Sequence, residues 1–291
     1  MLYVIEPGIL TTIQDGGRWG YQALGVPVSG AMDGFALRAA NTLVGNAPNA
    51  AGIEIHSPMV LRAERAHLLA LTGAAATWEI GGHALPMWMS VFARPGTRIA
   101  IAPKRGGWIY LAVHGGIEVP RVLGSRSTFL RGKFGGLAGR ALAAEDELEI
   151  GSAHLNDLVA AAGQRLETRP PQDSKIRVTP GPHADWFAPA ALATLTRAEY
   201  RVTENADRMG YRLRGAPLPR ARTGELISCG VPLGAIQIPA DGQPIVLMAD
   251  HQTTGGYPIL ATVIASDVRH LAQHSPGEYV RFALADTIQA D

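Results

Sequence analysis

The chain has one cysteine, three lysines and an aromatic share of only 6%. A lone Cys229 excludes an internal disulfide framework and a cysteine-rich zinc site. None of Lys104, Lys133 and Lys175 follows a methionine, so an Ala-Met-Lys-Met-like biotin attachment site is missing. Lys133 follows Gly132 but precedes Phe134, which excludes a Walker-type phosphate cradle. Basic and acidic residues number 26 and 25 and are interspersed, leaving no electrostatic footprint for nucleic acid. No apolar run approaches the roughly 18 residues a membrane-spanning helix needs. The segment from Met1 to Pro7 has no basic stretch followed by an apolar one, as a secretory leader would. The expectation is a soluble cytoplasmic protein without nucleic-acid or membrane partners.

Glycine and proline are plentiful, at 34 and 20 of 291 residues, as in chains of short strands and tight turns. Strands are predicted at His67–Leu71, Thr77–Ile80, Arg98–Ala102, Trp108–Val113, Ile176–Thr179, Tyr200–Thr203, Ile245–Met248 and Tyr279–Phe282. Each is bounded by turn-forming residues. Gly81-Gly82 reads as a hairpin turn, since glycine accepts positive φ at both central positions. Helices are predicted from Asp33 to Val44, with Ser29 or Asp33 as N-cap and a stop at Gly45, from His183 to Leu195, and from Ser266, as cap, to His274. The pattern is mainly β with a few short helices.

Composition changes between residues 151 and 174, where tandem Pro170-Pro171 lies among mixed charges. We expect an N-terminal β domain over 1–155, a solvated linker over 156–174 and a C-terminal β domain over 175–291. Arg18-Trp19-Gly20-Tyr21 through Gly25 and Pro27 recurs as Arg208-Met209-Gly210-Tyr211 through Gly215 and Pro217 at a constant offset. Two related domains in tandem would produce such a repeat.

Polar, glycine-rich segments carry the candidate site. The first contains Thr11, Gln14, Asp15 and Arg18, followed by Ser29 and Asp33. The second contains Gln237, then Asp250, His251, Gln252, Thr253, Thr254, Gly255, Gly256 and Tyr257. Amides, hydroxyls and carboxylates beside glycines suit a small amide or ureido ligand, which presents donors and acceptors together. The alternative is that both are turns whose polar groups bond to themselves. Unpartnered buried polar groups are costly, so the two segments are expected to line one polar cleft. Cys229, in an apolar stretch, reads as a buried inert thiol. His270 and His274, one helical turn apart, lack an evident third ligand, and no metal is expected.

The stretches Thr11–Tyr21, Gly25–Asp33 and Leu123–Thr128 (Leu-Gly-Ser-Arg-Ser-Thr) resemble the family known as the C subunit of 5-oxoprolinase, or allophanate hydrolase subunit 2. Arg208–Leu213, Gly234–Pro239 and Asp241–Pro258 continue the likeness over nearly the whole chain. The family is also labelled biotin-dependent carboxyltransferase and antagonist of a sporulation-kinase inhibitor. The resemblance implies two cyclophilin-like β-barrel domains in tandem, and a B subunit and an A subunit as partners. The implied activity is ATP-dependent opening of 5-oxoproline to glutamate, with the ATP site shared with a partner. Asp15 and Asp250 would then orient the amide, and Arg18 and Arg126 would stabilise oxyanion charge. Carboxyl transfer from carboxybiotin to urea or a related amide is the alternative. A non-enzymatic regulator that binds a kinase-inhibitor homologue of the B subunit is another. Prolyl isomerisation would rest on fold analogy alone. The chain departs from the family pattern at His251 and Trp108, where relatives usually carry basic residues.

Overall fold

The computed structural model describes residues 1–152, 160–167, 175–222, 224 and 226–285. The chain is mainly β with a few short helices. It divides into two compact units, Met1–Trp19 with Ser29–Arg169, and Gly20–Val28 with Pro170–Asp291. Every predicted strand forms, with ends shifted by a residue or two.

In the first unit one antiparallel sheet runs, in spatial order, Glu147–Leu148, Leu2–Glu6, Met59–Ala63, Arg98–Pro103, Ala76–Ile80 and His83–Ala84. Ile80 pairs with His83 around Gly81 and Gly82, at φ +60° and +81°, which is the predicted hairpin. A second sheet runs Thr12–Gln14, Gly52–Ile55, Ile109–Val113, His67–Gly73 and Ser90–Ala93. Leu61, Trp78, Ile99 and Ile101 from one sheet share a core with Ile53, Leu69, Leu71 and Leu111 from the other.

The strand His67–Gly73 is buried on both faces. Leu69 and Leu71 join that core, while Leu68 and Ala70 pack with Ala40 and Leu43 of the helix Gly34–Leu43. This helix is capped by Asp33, whose Oδ1 accepts from the Ala36 amide at 2.9 Å.

The second unit closes into a barrel in the order Ile176–Pro180, Ile259–Val263, Ala235–Gln237, Ile245–Leu247, Gly210–Arg214, Glu199–Val202 and Tyr279–Leu284. The last strand returns parallel to the first, and the other pairings are antiparallel. Outside the barrel, Cys229–Gly230 pairs with Thr254–Gly255 as a separate ribbon. Cys229 is therefore only half-buried, not the sealed thiol expected from its apolar neighbours.

Other expectations are corrected. The helix predicted from His183 to Leu195 is a short turn at Ala184–Trp186 and a separate helix at Ala191–Arg197. Phe187 is extended, and Pro189 disfavours helical geometry at Ala188 before it. The last helix spans Ala265–Ala272 with Ile264 as its N-cap and no side-chain cap, so Ser266 does not cap it. The repeat fails as structure: Gly210–Arg214 is a barrel strand, whereas Gly20 has φ +95° and Gln22–Leu24 is a 3-10 turn. The segment 20–28 also groups with the second unit.

Of the expected linker, residues 156–159 and 168–174 lie outside the described residues. The part between is mostly exposed but tied to the first unit: Ser90 donates its amide to Gln164 O at 2.9 Å, Leu166 donates to Trp88 O at 3.0 Å, and Ala161 is buried.

Candidate functional site

The two candidate loops fall in different compact units, and each is closed by its own partners. In the first, the strand Thr12–Gln14 ends at Asp15, which is 8% exposed. Asp15 Oδ1 accepts from the Gly17 amide at 2.8 Å and from the hydroxyls of Ser125 and Ser127, each at 2.6 Å. Oδ2 accepts from the Arg126 amide at 2.6 Å. The carboxylate is thus filled by protein donors and acts as the knot joining Asp15–Gly17 to Ser125–Ser127. That is an Asx-type turn extended across the fold.

The Arg18 side chain donates to the Ser127 carbonyl and lies 4.9 Å from the Phe134 ring centroid. Glycine is required beside it. A Cβ on Gly135, at φ +72°, would lie 2.0 Å from Ser127 O. Arg126 donates Nε to Val119 O at 3.0 Å and pairs with Glu118.

Gln14 is fully buried and donates Nε2 to Thr12 Oγ1 at 2.9 Å and to Thr128 O at 3.2 Å. Gln14 Oε1, Thr11 Oγ1 and Ser29 Oγ are buried without a partner among the described residues. Ser29 itself is left-handed, at φ +57°.

The loop after Ser29 is anchored on three sides. Ala31 donates to Asp15 O at 3.1 Å, Met32 donates to Glu54 Oε2 at 2.8 Å, and Asp33 donates to the Tyr110 hydroxyl at 2.7 Å. Tyr110 in turn donates to Glu54 Oε2 at 2.7 Å. Burial, and then the charges of Glu54 and Asp33, push the Tyr110 hydroxyl well above its ordinary value, so it stays a neutral donor.

In the second unit Asp250 is held by a two-point fork, Arg208 Nε to Oδ2 at 2.8 Å and Nη2 to Oδ1 at 3.0 Å. Both residues are nearly sealed from solvent. Gln252 donates Nε2 to Gln237 Oε1 at 3.3 Å, and Gln237 donates Nε2 to Tyr257 O at 3.5 Å. A Cβ on Gly255 would lie 2.7 Å from Gln237 Nε2, so glycine there lets the paired amides sit against the ribbon.

Thr253 accepts at its carbonyl from Val231, while Thr254 and Tyr257 are exposed and Gly256 is half-buried. His251 is buried, with Nδ1 at 2.6 Å from Gln252 O. Burial lowers its pKa below the ordinary value, against the opposing influence of that bond and of Asp250.

The profile described as carboxyltransferase domain, subdomain A and B, matches residues 24–284. The chain belongs to this carboxyltransferase-domain family. Over 284 residues it is 40% identical to the C subunit of 5-oxoprolinase from Escherichia coli K12, spanning 97% of this chain and 90% of that protein. The Haemophilus influenzae protein of the same name is 36% identical over the same shares. The crystal structure of the K. lactis urea amidolyase superposes at a TM-score of 0.88 and 28% identity, covering 98% of this chain. The match occupies only 19% of that chain.

Set against this carboxyltransferase-family fold, several residues were missed by sequence reasoning. Ser125 and Ser127 lay inside the Leu123–Thr128 motif, and Arg208 lay inside the supposed repeat. Glu54 was detectable as a lone acid in the apolar run Ile53-Glu54-Ile55. Trp108, one of the departures from the family pattern, is buried against the His56 ring at 4.6 Å between centroids.

Proposed function

We propose that the chain is the C subunit of a 5-oxoprolinase that opens 5-oxo-L-proline to L-glutamate with ATP, working with a B subunit and an A subunit. The observation that carries this reading is 40% identity along 97% of the chain and 90% of the E. coli 5-oxoprolinase component.

The lactam is unactivated, so phosphoryl transfer from ATP to its carbonyl oxygen has to precede attack by water and rupture of the ring C–N bond. No phosphate-binding motif is readable in this chain, and the nucleotide site is assigned to the partners or to an interface with them. Amide-bearing loops support an amide ligand: Gln237 and Gln252 are side by side, and Gln14 Oε1 and Ser29 Oγ are acceptor and hydroxyl groups without partners among the described residues. Asp15 and Asp250 become positioning residues, because their oxygens hold Ser125, Ser127 and Arg208 in place. An ATP-consuming complex of this kind works in the cytoplasm.

Reconstitution with the A and B partners tests the reading. The expected result is 5-oxo-L-proline-dependent ATP hydrolysis that needs all three components. Absence of turnover in any combination overturns it. Carboxyl transfer from carboxybiotin to urea is the second reading, favoured by the TM-score of 0.88 to the urea amidolyase. Urea-dependent decarboxylation of carboxybiotin, without 5-oxoproline turnover, would select it.

A further inference from the structure

His251 is a buried group in the second loop that neither the carboxylate fork nor the amide pair accounts for. Its Nδ1 lies 2.6 Å from the Gln252 carbonyl oxygen. A carbonyl can only accept, so Nδ1 carries the hydrogen, and in the neutral ring Nε2 is left as a lone-pair acceptor. Nε2 makes no hydrogen bond among the described residues, and it is not among the ring and side-chain atoms sealed from solvent.

The surrounding charges do not convert it into a cation site. Asp250 is the neighbouring acid, and its oxygens are held by Arg208 at 2.8 and 3.0 Å. The Arg208 guanidinium is therefore already committed to a carboxylate. Gln252 directs its amide N–H toward Gln237, at 3.3 Å from Gln237 Oε1.

We propose that His251 Nε2 accepts a hydrogen bond from the N–H of a bound amide or ureido ligand, which makes it a specificity-determining residue. A lysine or arginine at this position has donors only and could not take that hydrogen. The lowered pKa is consistent with a ring that stays neutral, and so able to accept, near neutral pH. The identity of the ligand, 5-oxo-L-proline, rests on the function proposed above. The acceptor role does not.

Steady-state assays of the complex reconstituted with the A and B partners, using 5-oxo-L-proline as substrate and its N-methyl analogue as inhibitor, test the role. In the unsubstituted protein the analogue, which lacks the N–H, should bind about tenfold more weakly than the substrate, as loss of ~1.4 kcal/mol would give. His251→Phe should raise KM for 5-oxo-L-proline about tenfold. It should leave kcat within about twofold, and it should abolish the discrimination against the analogue. His251→Gln, which keeps an acceptor oxygen, should restore discrimination, and a melting curve of each variant separates misfolding from lost recognition. Equal losses for both ligands in His251→Phe overturn the proposal.

Long-range 1H–15N spectra of the full chain supply an independent readout. Addition of 5-oxo-L-proline or urea should shift Nε2 while Nδ1 stays protonated. A protonated Nε2 at neutral pH, or no shift with either probe, overturns the acceptor role. A shift with urea alone keeps it and rejects 5-oxoproline as the ligand.

Discussion

Arg208 and Asp250 are joined twice, by the side-chain fork and by a backbone bond in which the Asp250 amide donates to Arg208 O at 2.7 Å. The pair therefore fixes the start of the His251–Tyr257 loop relative to the barrel strand Gly210–Arg214. Asp250→Ala removes both acceptors of the fork from a buried guanidinium and should cost about 3–5 kcal/mol, read by denaturant unfolding. Arg208→Lys keeps the charge but loses the fork, and its stability should fall between that of the parent and that of Asp250→Ala. A stability change near zero for Asp250→Ala would remove the structural role.

Asp15→Ala removes the acceptor for the Ser125 and Ser127 hydroxyls and the Gly17 and Arg126 amides. A ligand-contact role, as expected from sequence, would have this variant lose turnover at little cost in stability. The observed bonding predicts the reverse order of effects, a loss of roughly 3 kcal/mol or more together with any loss of activity. A variant that melts like the parent but does not turn over would return Asp15 to direct ligand contact.

Gly135→Ala should be among the most damaging of glycine substitutions. The new methyl would meet Ser127 O at 2.0 Å and Arg18 Nη2 at 2.8 Å from a backbone at φ +72°. Gly82→Ala, at φ +81° with no atom within 4 Å, is strained only by its backbone. The difference in melting temperature between the two variants isolates the crowding around Arg18. Equal melting temperatures would mean that Ser127 and Arg18 yield freely.

Stability in acid should report Asp267. Burial pushes this carboxyl up, but the Arg177 side chain, the Arg177 amide and the Ser266 hydroxyl outweigh it and bring the pKa down to about 2. The unfolded value is about 3.9. The folded group therefore binds its proton less readily than the unfolded one, and its contribution is complete above about pH 4 and disappears as pH falls toward about 2. Melting temperatures of the parent and Asp267→Asn should differ at neutral pH and converge across that interval. A constant difference would exclude the Arg177 pairing as its source.

Local patterns were legible in the sequence where local physics decides. Short runs bounded by turn residues became strands, Gly81-Gly82 became a hairpin, and Asp33 became a cap. What a single window of sequence lacks is the identity of distant partners. The polar segment around Asp15 was readable, but its donors Ser125 and Ser127 lie 110 and 112 positions away, so a site residue and a turn residue looked alike. The same limit produced the false repeat. Arg-x-Gly-Tyr is followed by a left-handed turn in one place and by a barrel strand in the other, because pairing with Ile245–Leu247 is available only to the second.

The strand Leu2–Glu6 has Met59–Ala63 on one side and Glu147–Leu148 on the other, with Leu2 opposite Leu148 and Val4 donating to Asp146 O at 2.9 Å. A ribosome releases these segments in sequence order, so the first strand emerges long before its outer neighbour exists. Until residues 146–148 arrive, that flank offers bare N–H and C=O groups to any passing strand. The newborn first unit thus spends most of its synthesis with an open edge, and a nascent chain halted before Asp146 should be far more prone to aggregate than one released just beyond it.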